Sequence, residues 1–194
     1  DVHSYSFDPN DPNAVWWGHD GGLSYTSDIT NQNYQELFPW ENKNNGYNVT
    51  QFYHISLPDI AGDNRIMGGT QDNGTPFIIF DGDIGERLVD ASSGDGGYSY
   101  FGDDFAFTSN QNGVLLRYRY DNNNYPNFQA GFTRYTPENA TGQLFINPFA
   151  IDPNDENIIY YPAGNSLWRN NQLSSIPDYQ FGTTSLGWTK LDNV

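Results

Sequence analysis

Three aspartates lie in glycine-rich stretches that a chain normally uses for tight turns. Asp20 precedes two glycines, Asp72 lies in a Gln-Asp-Asn-Gly run, and Asp95 lies in a Gly-Asp-Gly-Gly run. Two carboxylates that converge can act as general acid and base in glycoside hydrolysis. Turn geometry alone also favours Asp and Asn, because both tolerate a positive φ and bond to their own backbone. Asp20 and Asp95 are therefore catalytic candidates, although turn formation alone would account for both residues.

The Gln-Asp-Asn-Gly run supplies a second kind of candidate. Gly68 and Gly69 end an apolar stretch, which indicates close approach of another backbone or of a ligand. Gln71, Asp72 and Asn73 follow, and we predict that they either bind a ligand or tie neighbouring sheets together. In the second case we expect the Asp72 carboxylate to accept hydrogen bonds from backbone donors.

A third stretch offers oxygen ligands to a metal. Asp81, Asp83 and Glu86 cluster within six residues, and hard oxygens are the ligands that calcium prefers. The stretch does not match a complete calcium loop, so solvated turns are the preferred interpretation. No cofactor is therefore expected, and calcium is the candidate that the sequence leaves open. The chain has no cysteine, which excludes disulfides and thiolate metal sites.

Composition restricts the partners. Among 194 residues, Asp and Glu outnumber Lys and Arg by 24 to 8, for a formal charge of −16. Such a field repels phosphate backbones and anionic lipid, so neither nucleic acid nor membrane insertion is expected. The longest apolar runs are strand-sized, far below the ~20 residues of a membrane helix. A chain rich in Asn, Gly, Tyr and Trp but poor in Lys is typical of exported bacterial proteins, so we expect a secreted or cell-surface location.

An internal repeat indicates which elements position these residues. The segment 7–17 returns without a gap as 151–161, which is 144 positions later, and weaker copies lie at 63–69 and 105–109. Three intervals in 144 residues average 48, within the range of about 40 to 50 residues for a four-stranded propeller blade. Each copy has an Asp-Pro or Asn turn, a β-rich run, a glycine-containing hairpin turn and a second run.

The repeat therefore predicts an all-β chain, a β-propeller arc of about four blades with four antiparallel strands each. The predicted blades are 1–46, 47–92, 93–141 and 142–194. Equivalent positions in the second strands should be occupied by an apolar residue in each blade: Val15, Ile66, Phe107 and Ile159. Arg117, Arg119 and Arg169 follow apolar strand residues and are predicted to lie at blade edges. Aromatic pairs should pack mostly between blades, and those at a rim could stack on sugar rings.

Several of these motifs resemble, in their order along the chain, the secreted Asp-box (BNR repeat) propellers, which include sortilin-type and xyloglucanase-like propellers. They lie at 18–22, 50–54, 69–75, 93–98 and 167–169, and the segment 69–75 is the most specific. The resemblance covers nearly the whole chain and implies export or surface attachment. It also implies a ring of seven or more blades, so the remaining blades of a longer chain are expected partners. The full Asp-box, Ser-x-Asp-x-Gly-x-Thr-Trp, is nowhere intact in this sequence.

Two functions remain open at this point. The first is a non-catalytic extracellular or cell-surface propeller that binds protein or polysaccharide, or acts as a scaffold for them. The second is a segment of a secreted glycoside hydrolase, because xyloglucanase-like enzymes carry a catalytic Asp in a Gly-Asp-x-Gly-Gly context that resembles the surroundings of Asp20 and Asp95. Binding is the preferred prediction, since no catalytic set is complete.

Overall fold

The computed structural model describes residues 2–31, 40–47, 50–81, 84–127 and 129–191, with only the backbone described at 81 and 84–89. The described chain is built from four antiparallel sheets of four strands each, and two short 3-10 turns are its only helical segments. It divides into two compact units, Asp1–Thr50 and Gln51–Val194. Within the described residues, no helix is long and apolar enough to cross a membrane.

The first unit holds one sheet, in which each strand pairs with the next along the chain. Its strands are β1 (Val2–Asp8), β2 (Asp11–His19), β3 (Gly22–Thr26) and β4 (Glu41–Asn42). Val15 in β2 is fully buried and pairs with Phe7 on one side and Thr26 on the other. Asn44 follows β4, and its side-chain oxygen continues the pairing with β3 by accepting the Leu23 N–H at 2.7 Å.

The second unit holds three sheets of the same serial design. The second sheet consists of β5 (Phe52–Ser56), β6 (Arg65–Thr70), β7 (Pro76–Asp81) and β8 (Ile84–Asp90). The third sheet consists of β9 (Gly96–Phe101), β10 (Phe105–Asn110), β11 (Val114–Arg119) and β12 (Phe132–Arg134). The fourth sheet consists of β13 (Ala150–Asp152), β14 (Asp155–Ala163), β15 (Ser166–Asn170) and β16 (Trp188–Leu191).

The sequence repeat is also a repeat of hydrogen bonds. In the first hairpin of both the first and the fourth sheet, each of two aspartates accepts the N–H of the residue two positions later. These pairs are Asp8 with Asn10, Asp11 with Asn13, Asp152 with Asn154, and Asp155 with Asn157, at 2.8 to 3.0 Å. This is the local bonding for which Asp is favoured in turns. The repeated sequence therefore specifies the same turn between the first two strands of the first and of the fourth sheet.

The predicted strand positions agree with the structure. Val15, Ile66, Phe107 and Ile159 lie in β2, β6, β10 and β14, each the second strand of its sheet. Tryptophans mark two of the fourth strands, since Trp188 begins β16 and Trp40 immediately precedes β4. Each sheet lies wholly within one of the four predicted segments.

The third sheet is covered on both faces, and the strand alternation shows how. Ala106 and Leu116 belong to a buried cluster shared with the second sheet. Phe107 and Leu115, their neighbours along β10 and β11, belong to a cluster shared with the fourth sheet. Because successive side chains of a strand point to opposite faces, an apolar residue is needed at both parities.

Arg117 corrects one sequence-based expectation. The prediction placed it at a blade edge, but only 1% of its surface is exposed. Its guanidinium donates to the carbonyl oxygens of Leu173 and Ile176 and lies 4.5 Å from the Phe105 ring centroid. Arg119, two residues later, fits the prediction better, because it is partly exposed and bonds Asp178 at 2.6 Å.

The second and third sheets meet in a backbone-to-backbone contact, which we call the glycine seam: Gly69, Gly74, Gly96 and Gly97. A Cβ atom on Gly69 would lie 2.0 Å from the Gly97 carbonyl oxygen, and one on Gly96 would lie 2.2 Å from the Gly74 oxygen. No side chain fits at these distances. The contact is closed by a hydrogen bond from the Gly74 N–H to the Gly94 oxygen at 2.7 Å.

The seam predicts a specific cost for the smallest side chain. We expect Gly69→Ala to lower the free energy of unfolding by about 1 to 3 kcal/mol, because the neighbouring atoms are backbone and cannot move aside. Gly182→Ala is the matched control, since a Cβ there meets nothing closer than 3.7 Å. Urea denaturation of both variants measures the difference. Equal midpoints for the two variants would contradict the seam.

Candidate functional site

Polar and aromatic side chains converge at the end of the second and third sheets where the glycine seam closes. We call this group the turn cluster: Tyr53, Gln71, Asp72, Asn73 and Asp95. The backbone places its members together, because the Gln71 N–H at the β6–β7 turn donates to the Gln51 oxygen just before β5, at 2.9 Å. The connection from β8 to β9 then brings Asp95 to the same turn.

Asp72 and Asp95 do come together, and the bond between them corrects the predicted roles. Asp72 has φ of 60° and donates its backbone N–H to a carboxylate oxygen of Asp95 at 3.1 Å. We expected the Asp72 carboxylate to accept backbone donors, but the carboxylate that does so here belongs to Asp95. The Asp95 carbonyl also accepts the Gln111 N–H at 3.0 Å. Asp95 therefore joins the second sheet to the third.

Tyr53 is the member of the cluster that the sequence did not single out. Burial raises the pKa of its phenol, and the nearby carboxylates of Asp95 and Asp72 raise the pKa further. The ring is half-exposed at the start of β5. In the sequence it belonged to a pair of strand aromatics, and the available signal was its place opposite the Gln-Asp-Asn-Gly turn in the strand order.

The histidine next to it has a structural role. The His54 ring stacks on the Tyr98 ring with centroids 4.6 Å apart, across the same two sheets. Burial lowers the pKa of His54, which favours the neutral imidazole. The stack therefore fixes the start of β5 and, with it, the position of Tyr53.

The turn cluster is chemically suited to bind hydroxyl groups. Gln71 is exposed and Asn73 half-exposed, and an amide both donates and accepts hydrogen bonds. Asp72 is exposed as well, and its carboxylate accepts only. A tyrosine ring beside such groups offers an apolar face with a polar tip.

The other catalytic candidate lies in a different unit. Asp20 lies at the β2–β3 turn of the first unit, where its carboxylate accepts a hydrogen bond from His3. Of the three aspartates in glycine-rich turns, Asp72 and Asp95 are brought together, through the bond from the Asp72 backbone to the Asp95 side chain. A catalytic role for Asp20 stays a prediction from the sequence.

The side chains of the calcium candidates lie outside the part of the chain that the structure describes. Only the backbone is described for Asp81 and Glu86, and Asp83 lies outside the described residues altogether. Among the residues that the structure does describe, no three His, Asp or Glu side chains are grouped to hold a metal ion. Calcium at 81–86 stays a prediction.

An acidic cleft lies at the end of the second and third sheets that is opposite to the turn cluster. Glu156 at the start of β14 accepts the Asp103 N–H at 2.8 Å and so ties the fourth sheet to the β9–β10 turn. Burial raises the pKa of Glu156 above its ordinary 4.5, an effect that outweighs the backbone hydrogen bonds from Asp103 and Asp104. Arg65, which also lines the cleft, is paired with Asp63 at 2.6 Å.

Comparison with known proteins adds no family to these observations. The sequence matches no model of a protein family, and it matches none of the curated proteins. The resemblance to Asp-box propellers therefore depends on the sequence motifs alone.

The role of Asp95 can be separated from that of Asp72 by stability. Asp95→Ala should lower the free energy of unfolding by about 1 to 3 kcal/mol, because the Asp72 N–H loses a charged acceptor. Asp95→Asn keeps an oxygen at the same place and should recover most of the loss. Asp72→Asn, which keeps the backbone donor, should unfold like the parent in urea. The proposed bond is wrong if Asp72→Asn is destabilised as much as Asp95→Ala.

Glu156 predicts a pH dependence of stability. A group whose pKa is raised by folding contributes stability at low pH that is lost as the pH rises through the folded value. The parent should therefore lose stability relative to Glu156→Gln as the pH rises above the ordinary 4.5 of a glutamate. Thermal unfolding as a function of pH measures the difference, with exposed Glu138→Gln as the control for charge alone. A difference between parent and Glu156→Gln that does not change with pH would refute the prediction.

Proposed function

We propose that this chain is an arc of an extracellular β-propeller that acts as a non-catalytic binding module, and that its ligand is a neutral polysaccharide. The architecture supports the first part, because four four-stranded sheets of serial order follow the 48-residue spacing of the repeat. Adjacent sheets pack face to face within the second unit, as blades do. The turn cluster supports the second part.

The observation that carries the ligand class is Tyr53 beside Asp72 at a rim of exposed amides. Sugar rings have apolar faces that pack on aromatic rings and hydroxyls that bond carboxylates and amides. The Gln51–Gln71 backbone bond and the Asp72–Asp95 bond hold the turn in place before any ligand arrives. A site fixed in advance loses less conformational entropy on binding.

Charge favours a neutral polysaccharide over an acidic one. The chain carries a formal charge of −16, and the turn cluster contains two carboxylates and no cationic side chain. A uronate or sulfated chain would approach against this field. A neutral chain meets no such barrier and can use the same carboxylates as hydrogen-bond acceptors.

The alternative is a segment of a secreted glycoside hydrolase in which Asp95 acts as acid or base. The proximity of Asp72 and Asp95 favours it, since such enzymes need two carboxyl groups. The bond from the Asp72 N–H counts against it, because it gives the Asp95 side chain a structural role in tying two sheets together. For this reason we prefer binding without turnover.

Binding of neutral polysaccharides should depend on the Tyr53 ring. Affinity electrophoresis and calorimetry against soluble xylan, glucan, mannan and galactan should give a ligand whose affinity falls about tenfold in Tyr53→Ala. Tyr53→Phe keeps the ring and should bind nearly as the parent does. Phe181→Ala removes another exposed ring of the same unit and should have no effect.

The same panel tests the alternative. Release of reducing ends by the parent chain, abolished in Asp95→Asn while the fold is retained, would establish a hydrolase and overturn the proposal. Equal affinity of Tyr53→Ala and the parent for every bound polysaccharide would remove the turn cluster as the binding site.

A further inference from the structure

A second cavity of about 570 Å³ opens on the outer side of the second and third sheets. It lies between the β8–β9 connection and the loop that joins β11 to β12. We call it the lateral cleft. Its lining residues include Asp90, Ser93, Tyr118, Asp121, Tyr125, Asn127 and Gln129. None of them belongs to the turn cluster. A volume of this size is within the usual range of small-molecule sites, about 300 to 1,000 Å³.

One wall of the lateral cleft is held rigid by a single carboxylate. Asp121 accepts the N–H groups of Asn123 at 2.8 Å and Tyr125 at 3.1 Å, and the Asn127 side-chain amide at 3.3 Å. The hydrogen bond from the Tyr125 backbone is the main reason that the pKa of Asp121 is lowered. These hydrogen bonds hold this part of the loop in a defined shape without a ligand.

Two tyrosines line the cleft, Tyr125 with a partly exposed ring and Tyr118 as a nearly buried residue, and each packs against a second aromatic ring. The Tyr118 ring packs on the Phe132 ring with centroids 5.3 Å apart, and only 5% of Tyr118 is exposed. The Tyr125 ring packs on the Phe77 ring at 6.0 Å. Since these rings are already ordered, a ligand that covers them does not have to immobilise them.

The polar groups of the cleft are suited to a neutral ligand. Among the lining residues that the structure describes there is no lysine or arginine, which disfavours phosphate or carboxylate ligands. The Asp121 carboxylate is taken up by its three donors, and Asp90 is not free either, so an ammonium ion finds no unshared carboxylate. The Ser93 hydroxyl and the Gln129 amide are exposed at the mouth. Hydroxyl and amide groups can bond the hydroxyls of a sugar, and an ordered aromatic ring can pack against its apolar face.

From this combination we propose that the lateral cleft binds one neutral monosaccharide unit. Ser93 lies two residues before Asp95, so the β8–β9 connection carries the cleft on one side and the turn cluster on the other. One polysaccharide could therefore contact both. The cleft shares its ligand class with the turn cluster, so this proposal rests on the proposed function, although it uses none of the same side chains.

A titration monitored by NMR tests the cleft directly. Methyl glycosides of glucose, galactose, mannose and xylose should be added in turn to the ¹⁵N-labelled chain. At least one should shift the side-chain amide signals of Asn127 and Gln129 in a saturable manner, with a dissociation constant of roughly millimolar size. Ser93→Trp fills the mouth of the cleft and should weaken this binding about tenfold or more. Ser175→Trp, at an exposed serine outside the cleft, should leave it unchanged.

The proposal is overturned if no glycoside shifts the two amide signals, whether or not choline does. It is also overturned if Ser93→Trp and Ser175→Trp have equal effects on glycoside binding. The Tyr53→Ala variant separates this proposal from the turn cluster. Glycoside shifts at Asn127 and Gln129 that persist in Tyr53→Ala support the cleft, even if polysaccharide affinity proves independent of Tyr53. Their loss in Tyr53→Ala would show that the glycoside binds at the turn cluster and not in the cleft.

Discussion

The organisation of the second unit depends on one steric constraint, the backbone contact of the glycine seam. With a Cβ at Gly69 or Gly96, the second and third sheets could not approach as closely as they do. Their approach allows the Gly74 N–H to reach the Gly94 oxygen, and it brings Asp95 beneath the β6–β7 turn. The seam thus decides where the candidate site forms as well as how the sheets pack.

The β8–β9 connection serves two surfaces at once. On one side it supplies Asp95, which fixes the turn that carries Asp72. On the other it supplies Ser93 at the mouth of the lateral cleft, and the preceding residue, Ser92, bonds Thr75 through their hydroxyls at 2.7 Å. A segment bonded along its length to the neighbouring sheet has little freedom to move. We infer that both surfaces are preformed, as suits a binding module.

The local parts of the fold could be predicted from the sequence. The Asp turns bond to residues two positions away, and Val15 and Ile159 recur 144 residues apart, so neither needs knowledge of distant contacts. The close approach at Gly69 was also foreseeable, because glycine inside an apolar strand marks a place where another backbone or a ligand comes near.

The non-local parts could not be predicted. Arg117 follows apolar strand residues as a solvent-facing side chain would, and its acceptors lie more than 50 residues away in sequence. The direction of the Asp72–Asp95 bond and the position of Tyr53 depend equally on how two sheets meet.

The most direct test of the glycine seam is hydrogen exchange at the Gly74 amide, measured by NMR. The account predicts protection close to that of Met67 in β6; exchange at the rate of an unstructured chain, with Met67 still protected, would contradict it.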